Sequence, residues 1–305
     1  MMINKATYSE LDNLPNVRGR LRYSLALARY SWFRTGGPAD VLFEPEDEED
    51  LIQFLSSVDP LLPITVIGVG SNLLVSDDGV EGIVIRLGKK FAATRINKNR
   101  ITAGAGAMDV HVAKLACDAG IAGLEWLVGV PGTIGGAIKM NAGAYGGEVA
   151  NSLLSVKVVS FAGKVFYCAA DDLGFSYRHS TAPDDWIFLS ATFEGVAGDP
   201  AELRANMQEI SANREETQPI GTRTGGSTFK NPDGHKAWQL IDDAECRGLR
   251  IGDAMMSEKH CNFLINMGEA SASDVSRLGE AVRDKVLKHS GISLEWEIRR
   301  IGRGF

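Results

Sequence analysis

Cysteine is scarce in this chain, and where it occurs it is not paired. Cys117, Cys168, Cys246 and Cys261 lie far apart, and no CxxC is formed. A disulfide scaffold is excluded on that spacing, and free thiols suit a reducing cytoplasm. The five histidines, His111, His179, His235, His260 and His289, hold no ligand spacing to each other or to the cysteines. No metal site is therefore expected. Positive charge is also in deficit, with 32 Lys and Arg against 39 Asp and Glu and a net charge of −7. A general nucleic-acid binder needs a basic footprint, so nucleic acid is not an expected partner. A local basic pocket for an anionic small molecule remains open. No apolar run approaches the roughly 18 residues of a membrane helix. "MMINKATYSELDNLPNVRGR" has no apolar h-region and so no secretory signal. These absences together predict a cytoplasmic protein without a membrane partner. Nothing calls for an oligomer, so a monomer is expected.

The usual phosphate motifs are missing too. "GIVIRLGKK" has neither the spacing nor the Ser/Thr of GxxxxGK[ST], and "GVGSNL" reaches Leu73 where GxGxxG needs glycine. A Rossmann domain is thus unsupported.

What is present is an ordinary globular composition, 44% hydrophobic and 23% charged over 305 residues, enough for two or three domains. Residues 1–33 read as a lead-in of helix and irregular structure. Acids after Pro45, followed by Leu51, Ile52, Phe54 and Leu55, predict a helix over 45–58. "ITVIGVGSNLLV" starts as a buried strand and breaks into a glycine turn; 82–87 and 100–108 read as strands. A helix is expected over 109–120 with Asp109 as N-cap and Gly120 past its end. "SVKVVSF" and "KVFYCAA" flank an Ala162-Gly163 hairpin turn, and 186–194 is a further strand. The pattern then changes to a long polar helix, 199–218, and a loop, "PIGTRTGGSTFKNP", without periodicity. After it come a helix near 237–244, a strand "NFLINMG", a helix at 273–289 and a final strand "SLEWEIRRIG". Strands and helices alternate in both parts, so the class is α/β or α+β. The segments expected are 1–33, 34–199 and 200–305.

One stretch stands apart. "GVPGTIGGAIKMNAGAYGG" spans Gly129–Gly147, with seven glycines among buriable Val130, Ile134, Ile138, Met140 and Tyr145. Backbone N–H groups hold a diphosphate well, and only residues without Cβ let the main chain come that close. A bulged sheet corner explains the glycines equally well. A second turn, Gly68-Val69-Gly70-Ser71-Asn72, adds hydroxyl and amide donors directly after a strand. Two such loops suggest the two ends of one extended phosphate ligand.

Seven stretches occur in order: "FRTGGPAD" (33–40), "GVGSNLLV" (68–75), "GVPGTIGGAIKMNAGAYG" (129–146), "YRHS" (177–180), "GGSTFKNP" (225–232), "KHCNFLIN" (259–266) and "LEWEIRRIG" (294–302). Together they resemble the UDP-N-acetylenolpyruvoylglucosamine reductase (MurB) family from about residue 30 onward. The resemblance implies an FAD-binding region of the p-cresol methylhydroxylase type and a smaller α/β substrate-binding domain. It implies non-covalent FAD, NADPH as hydride donor and a UDP-sugar substrate whose enolpyruvyl C=C is reduced for peptidoglycan synthesis. By the same resemblance Ser227 is the proton donor, Arg178 holds the substrate carboxylate, and Glu297 supports the enol or proton delivery. Strand alternation would put Glu295 and Glu297 on one face. FAD contacts are expected from Gly68, Gly70, Ser71, Asn72, Leu73, Pro131, Gly132, Thr133, Gly135, Gly136, Asn141, Gly143 and Tyr145. Substrate contacts are expected from Lys230, Asn231, His260 and Asn262.

The chain departs from the family pattern at Val69, where many members have glycine, and at Thr217, where many have lysine. Arg223 is the replacement cation expected at the diphosphate. The short span between strand and serine loop matches the members without a tyrosine-bearing lid. A covalent flavoprotein oxidase would need His or Cys in the glycine loops, and none is there. A non-catalytic nucleotide-binding module would have no use for Arg178, Ser227 and Glu297 together.

Overall fold

A computed structural model describes Leu11 and residues 13–305. The expected lead-in over 1–33 therefore falls partly outside the described residues. The chain forms two compact units. One holds the described residues up to Ser24 with Asp40–Gly68 and Gly82–Ala212. The other holds Leu25–Ala39, Val69–Glu81 and Asn213–Phe305. Composition suggests consecutive segments, whereas these units are interleaved. The reason is long-range pairing that leaves no mark in composition. Leu73–Val75 forms a parallel pair with Arg299–Ile301, and Asp77 accepts from the amides of Ala272 and Ser273 at 2.8 Å each.

In the first unit a four-stranded sheet runs in the order Arg20–Ala26, Pro38–Glu44, Val80–Arg86, Ile64–Ile67. Helix α1 is Glu48–Ser57. Its N-cap is Asp47, whose carboxylate accepts from the Asp50 amide, and Glu48, Glu49 and Asp50 fill the first turn. That cap starts the helix three residues later than expected and leaves Pro45 in the preceding loop. Leu51, Phe54 and Leu55 are its buried face, with Phe54 stacked 4.3 Å from Phe43. A five-stranded sheet, all antiparallel, has the order Val165–Ala169, Leu153–Ser160, Trp186–Glu194, Arg100–Gly104, Thr94–Asn97. The expected hairpin is in it, turned by Gly163 at φ +73°.

Helix α2 is Asp109–Asp118, but Met108 is the N-cap and Asp109 is the first helical residue. Helix α3 is Ile134–Lys139, a single short turn and a half inside the glycine-rich stretch. Helix α4, Pro200–Thr217, matches the expected polar helix and buries only Leu203 and Met207.

In the second unit the supposed loop after α4 contains a strand, Arg223–Ser227. Its two adjacent glycines hide the alternation, and a register shift between Thr224 and Ser227 breaks it further. It lies at the edge of the sheet Arg223–Ser227, Phe263–Asn266, Ala254–Met256, Arg250–Ile251. Helices α5 (Ala237–Asp243) and α6 (Ala272–Ser290) accompany it. Ser271 and Asp274 form a capping box at the start of α6, which buries Val275, Leu278, Val282 and Val286. The expected final strand shrinks to Arg299–Ile301, preceded by an isolated bridge between Phe229 and Trp296. Glu295 and Glu297 thus stand in irregular chain, and strand alternation does not orient them.

Candidate active site

In the first unit the glycine-rich stretch is built by two kinds of glycine. A Cβ on Gly129 would lie 2.9 Å from the Tyr145 ring, and one on Gly147 would lie 2.3 Å from the Trp126 ring. One on Gly135 would meet Ala105 at 3.1 Å, and one on Gly143 would meet the Gly147 carbonyl at 2.7 Å. These four are bare because protein packs on them. Gly136 differs: it is exposed, and a Cβ there would have no heavy atom nearer than 4.0 Å. Gly136 and the outer turn of α3 thus present bare, open backbone. The amides of Ile134 and Gly135 point inward, donating to Ala107 O at 3.0 Å and Ala105 O at 2.9 Å. Pro131 and Gly132 lead into this turn, and Gly132 O accepts from the Asp109 amide at 3.2 Å. Thr133 is buried at the N-cap of α3, and a Cβ on Gly68 would sit 2.5 Å from its hydroxyl.

The end of the stretch is a hairpin. Gly143–Ala144 pairs with Gly147–Glu148 around Tyr145 at φ +51° and Gly146 at φ +82°. Two successive positive φ values are the signature of a two-residue type I′ turn. Tyr145 occupies a position that normally takes Asn or Gly, and its ring rests on Gly129.

Arg178 sits at φ +54° in the turn Ser176–His179, whose ends exchange hydrogen bonds of 3.0 and 3.1 Å. Its Nη2 donates to Gly143 O at 2.8 Å, and its guanidinium lies 5.0 Å over the Tyr177 ring. Asn141, also left-handed at φ +46°, is fully buried. Its amide nitrogen donates to Ser176 O and its Oδ1 accepts from the Ala150 amide, both at 3.0 Å. Both ends of that side chain are engaged inside the unit, which places it as a support for the stretch.

In the second unit Gly70 is at φ +69°, and a Cβ there would overlap Tyr30 O at 1.9 Å. Ser71 and Asn72 follow, and Leu73 opens the short strand. The Asn72 side-chain Nδ2 donates to Glu297 O at 3.1 Å, and the Asn72 backbone carbonyl accepts from the Arg299 amide at 3.0 Å.

Ser227 ends its strand beside Gly226 at φ +82°. The next residue, Thr228, is fully buried and ties three segments together. Its amide donates to Asn262 O at 2.7 Å, its carbonyl accepts from the Glu297 amide at 2.8 Å, and its hydroxyl accepts from the Leu264 amide at 3.1 Å. The backbone of Glu297 is therefore held against Thr228, the residue that follows Ser227. Thr228 is not among the residues expected from the sequence, where its only sign is its place in "GGSTFKNP".

The remaining expected residues divide. Asn262 is buried and brackets Phe229, donating to its carbonyl at 2.8 Å and accepting from its amide at 2.9 Å. It shapes the serine loop with both ends of its amide. Lys230 reaches Glu295 at 3.4 Å, which separates Glu295 from the half-buried Glu297. Asn231 accepts from the Ala237 amide at 2.9 Å at the start of α5. His260 accepts from the Asn262 amide at Nδ1, stands 4.8 Å from Phe263, and is held below the usual imidazole range by burial. Arg223 donates to Gly268 O, while Thr217 turns its hydroxyl back to Asn213 O at 2.7 Å.

Among the described residues no group of three His, Cys, Asp or Glu could hold a metal ion. No helix there is long and apolar enough to cross a membrane.

Comparison with known proteins agrees with both halves of this geometry. Residues 39–169 match a family model described as FAD binding domain, and 218–301 match the C-terminal domain of UDP-N-acetylenolpyruvoylglucosamine reductase. The UDP-N-acetylenolpyruvoylglucosamine reductase of Azorhizobium caulinodans is 56% identical over 289 residues, 95% of this chain and 94% of that one. That of Parvibaculum lavamentivorans is 53% identical over 302 residues, 99% and 97% of the two chains. The crystal structure of UDP-N-acetylenolpyruvylglucosamine reductase (MurB) from Thermus caldophilus superposes with a TM-score of 0.82 at 36% identity, covering 93% and 99%. 6-Hydroxy-D-nicotine oxidase from Arthrobacter nicotinovorans shares the fold alone, at a TM-score of 0.58 and 14% identity. The chain has the α+β fold with an FAD-binding region that its motifs implied, and it belongs to the UDP-N-acetylenolpyruvoylglucosamine reductase family.

Proposed function

We propose that this chain is an NADPH-dependent flavoenzyme that reduces the enolpyruvyl C=C of UDP-N-acetylglucosamine enolpyruvate to UDP-N-acetylmuramate for peptidoglycan synthesis. The observation that carries the reading is the Thr228 joint, which ties the segment of Glu297 to the residue after Ser227. The two matched family models support FAD-binding work within 34–199 and substrate binding within 200–305. The four cysteines are free and buried, which supports a cytoplasmic setting.

Residues proposed to hold FAD are Gly68, Gly70, Ser71, Asn72, Leu73, Pro131, Gly132, Thr133, Gly136, Gly143 and Tyr145. Gly135 and Asn141 belong to the same stretch and serve it from behind. Held by these residues, FAD would supply the hydride chemistry that links NADPH to the enolpyruvyl double bond. Arg178 then holds the substrate carboxylate, where charge builds up in the enolate. A planar, always charged guanidinium suits a carboxylate bidentately. Its left-handed backbone costs about 1–2 kcal/mol, and backbone strain of that kind gathers at functional sites. The Ser227 hydroxyl protonates the carbon that bears the carboxylate. Serine is a weak acid, but an enolate carbon is a strong base. Glu297, half-buried, supports the enol and the proton path. Lys230 and Asn231 are proposed for the diphosphate of the UDP moiety, with Arg223 as the further cation and His260 at its margin.

Ser227→Ala tests this assignment by separating two half-reactions. Bleaching of the flavin by NADPH should proceed at near wild-type rate. Re-oxidation by the enolpyruvyl substrate should slow about 10²- to 10⁴-fold, the usual worth of a general acid. Stopped-flow absorbance follows both. Normal re-oxidation by substrate would remove Ser227 as the donor and make Glu297 the next to test.

A further inference from the structure

We infer that Asn141 is a positioning residue for Arg178, acting through the backbone of the Ser176–His179 turn. The inference rests on the proposed role of Arg178 at the substrate carboxylate. The turn closes on itself through the two bonds between Ser176 and His179, but these do not fix where its left-handed arginine points. Here the chain leaving α3 anchors it. Asn141 donates to Ser176 O at 3.0 Å, and Ser180 Oγ donates to Lys139 O at 2.8 Å. Arg178 itself donates to Gly143 O at 2.8 Å, two residues past Asn141. The same Asn141 side chain accepts from the Ala150 amide at 3.0 Å, so it is fixed at both ends. It is fully buried, so water does not replace either bond if the amide is lost.

The chemistry selects asparagine. Among polar residues Asn and Asp enter the left-handed region most readily, and of these two only the amide of Asn both donates and accepts. Asp would keep the bond from the Ala150 amide and turn an acceptor toward the Ser176 carbonyl. The turn would then shift, and the guanidinium would lose its aim while keeping its charge.

A double-mutant cycle on the oxidised holoprotein tests this. Binding of the enolpyruvyl substrate is measured by titration calorimetry for wild type, Asn141→Asp, Arg178→Lys and the double variant. Each single change should weaken binding about tenfold. The double variant should bind no more than twofold worse than Arg178→Lys alone, because the two act through one contact. Substrate binding is expressed per bound flavin for every variant, so that any loss of cofactor is separated from loss of aim. If Asn141→Asp yields no folded flavoprotein, Ser180→Ala carries the same cycle with the same expectation. Binding within twofold of wild type, or losses that multiply in the double variant, overturns the inference. If Arg178→Lys alone binds normally, the role of Arg178 fails first, and that outcome is distinct from failure of the positioning step.

Discussion

At the scale of single residues, the motifs carry chemistry and the amides carry shape. Arg178, Ser227 and Glu297 stand out in the sequence because their neighbours form quotable strings. Asn72, Asn141 and Asn262 stand in equally quotable strings, yet their side chains serve backbone groups that are distant in sequence: Glu297 O, Ser176 O and Phe229 O. No spacing rule reveals such partners, so the supporting bonds of these side chains are not legible in the sequence. The arginine makes the sharper prediction. Lysine at position 178 keeps the charge but loses the planar fork and the bond to Gly143 O. Arg178→Lys should lower turnover of the enolpyruvyl substrate at least about tenfold, equivalent to roughly 1.4 kcal/mol of transition-state stabilisation. Steady-state assays check it, and turnover within twofold would take Arg178 away from the reacting carboxylate.

At the scale of elements, helices and hairpins are legible where a cap or a period marks them, as at α1, α4 and α6. Glycine pairs hide the strand Arg223–Ser227, and irregular chain replaces most of the expected last strand. Asp109 shows a subtler failure. Its type and place suggest an N-cap, but it lies one residue inside α2, fully buried, with neither carboxylate oxygen hydrogen-bonded among the described residues. Burial pushes its carboxyl well above the usual carboxylate range. The sign of the pH effect follows. Below about pH 4 the group is protonated in both folded and unfolded chains and adds no pH dependence. As pH rises further the unfolded chain ionises first, so stability falls until the folded group ionises too, by up to about 1.4 kcal/mol per pH unit. Asn at 109 has the same shape and does not titrate. The melting temperature of Asp109→Asn relative to wild type should therefore rise from pH 5 to pH 8, and calorimetry at both ends reads it. A pH-independent difference would mean that Asp109 is ionised in the folded protein.

At the scale of the whole molecule, the class and the FAD-binding region are legible in the sequence, while the interleaving of the two units is not. A shift of composition near residue 200 invites a single cut. The segments Leu25–Ala39 and Val69–Glu81 join the C-terminal unit through partners such as Phe33 and Leu74, which are buried in its core. Pairing over such distances is decided by packing and leaves no local mark. The glycine loops contain no His or Cys that could anchor a flavin. Acid precipitation of the purified yellow protein should therefore leave FAD in the supernatant, read by its absorbance, and flavin retained in the pellet would indicate a covalent link.

The most direct test of the account follows the flavin band of the purified protein through three anaerobic spectra. NADPH should bleach it, and UDP-N-acetylglucosamine enolpyruvate added next should restore it with formation of UDP-N-acetylmuramate, identified by mass. A band that NADPH leaves intact, or one that only oxygen restores, would contradict the assignment.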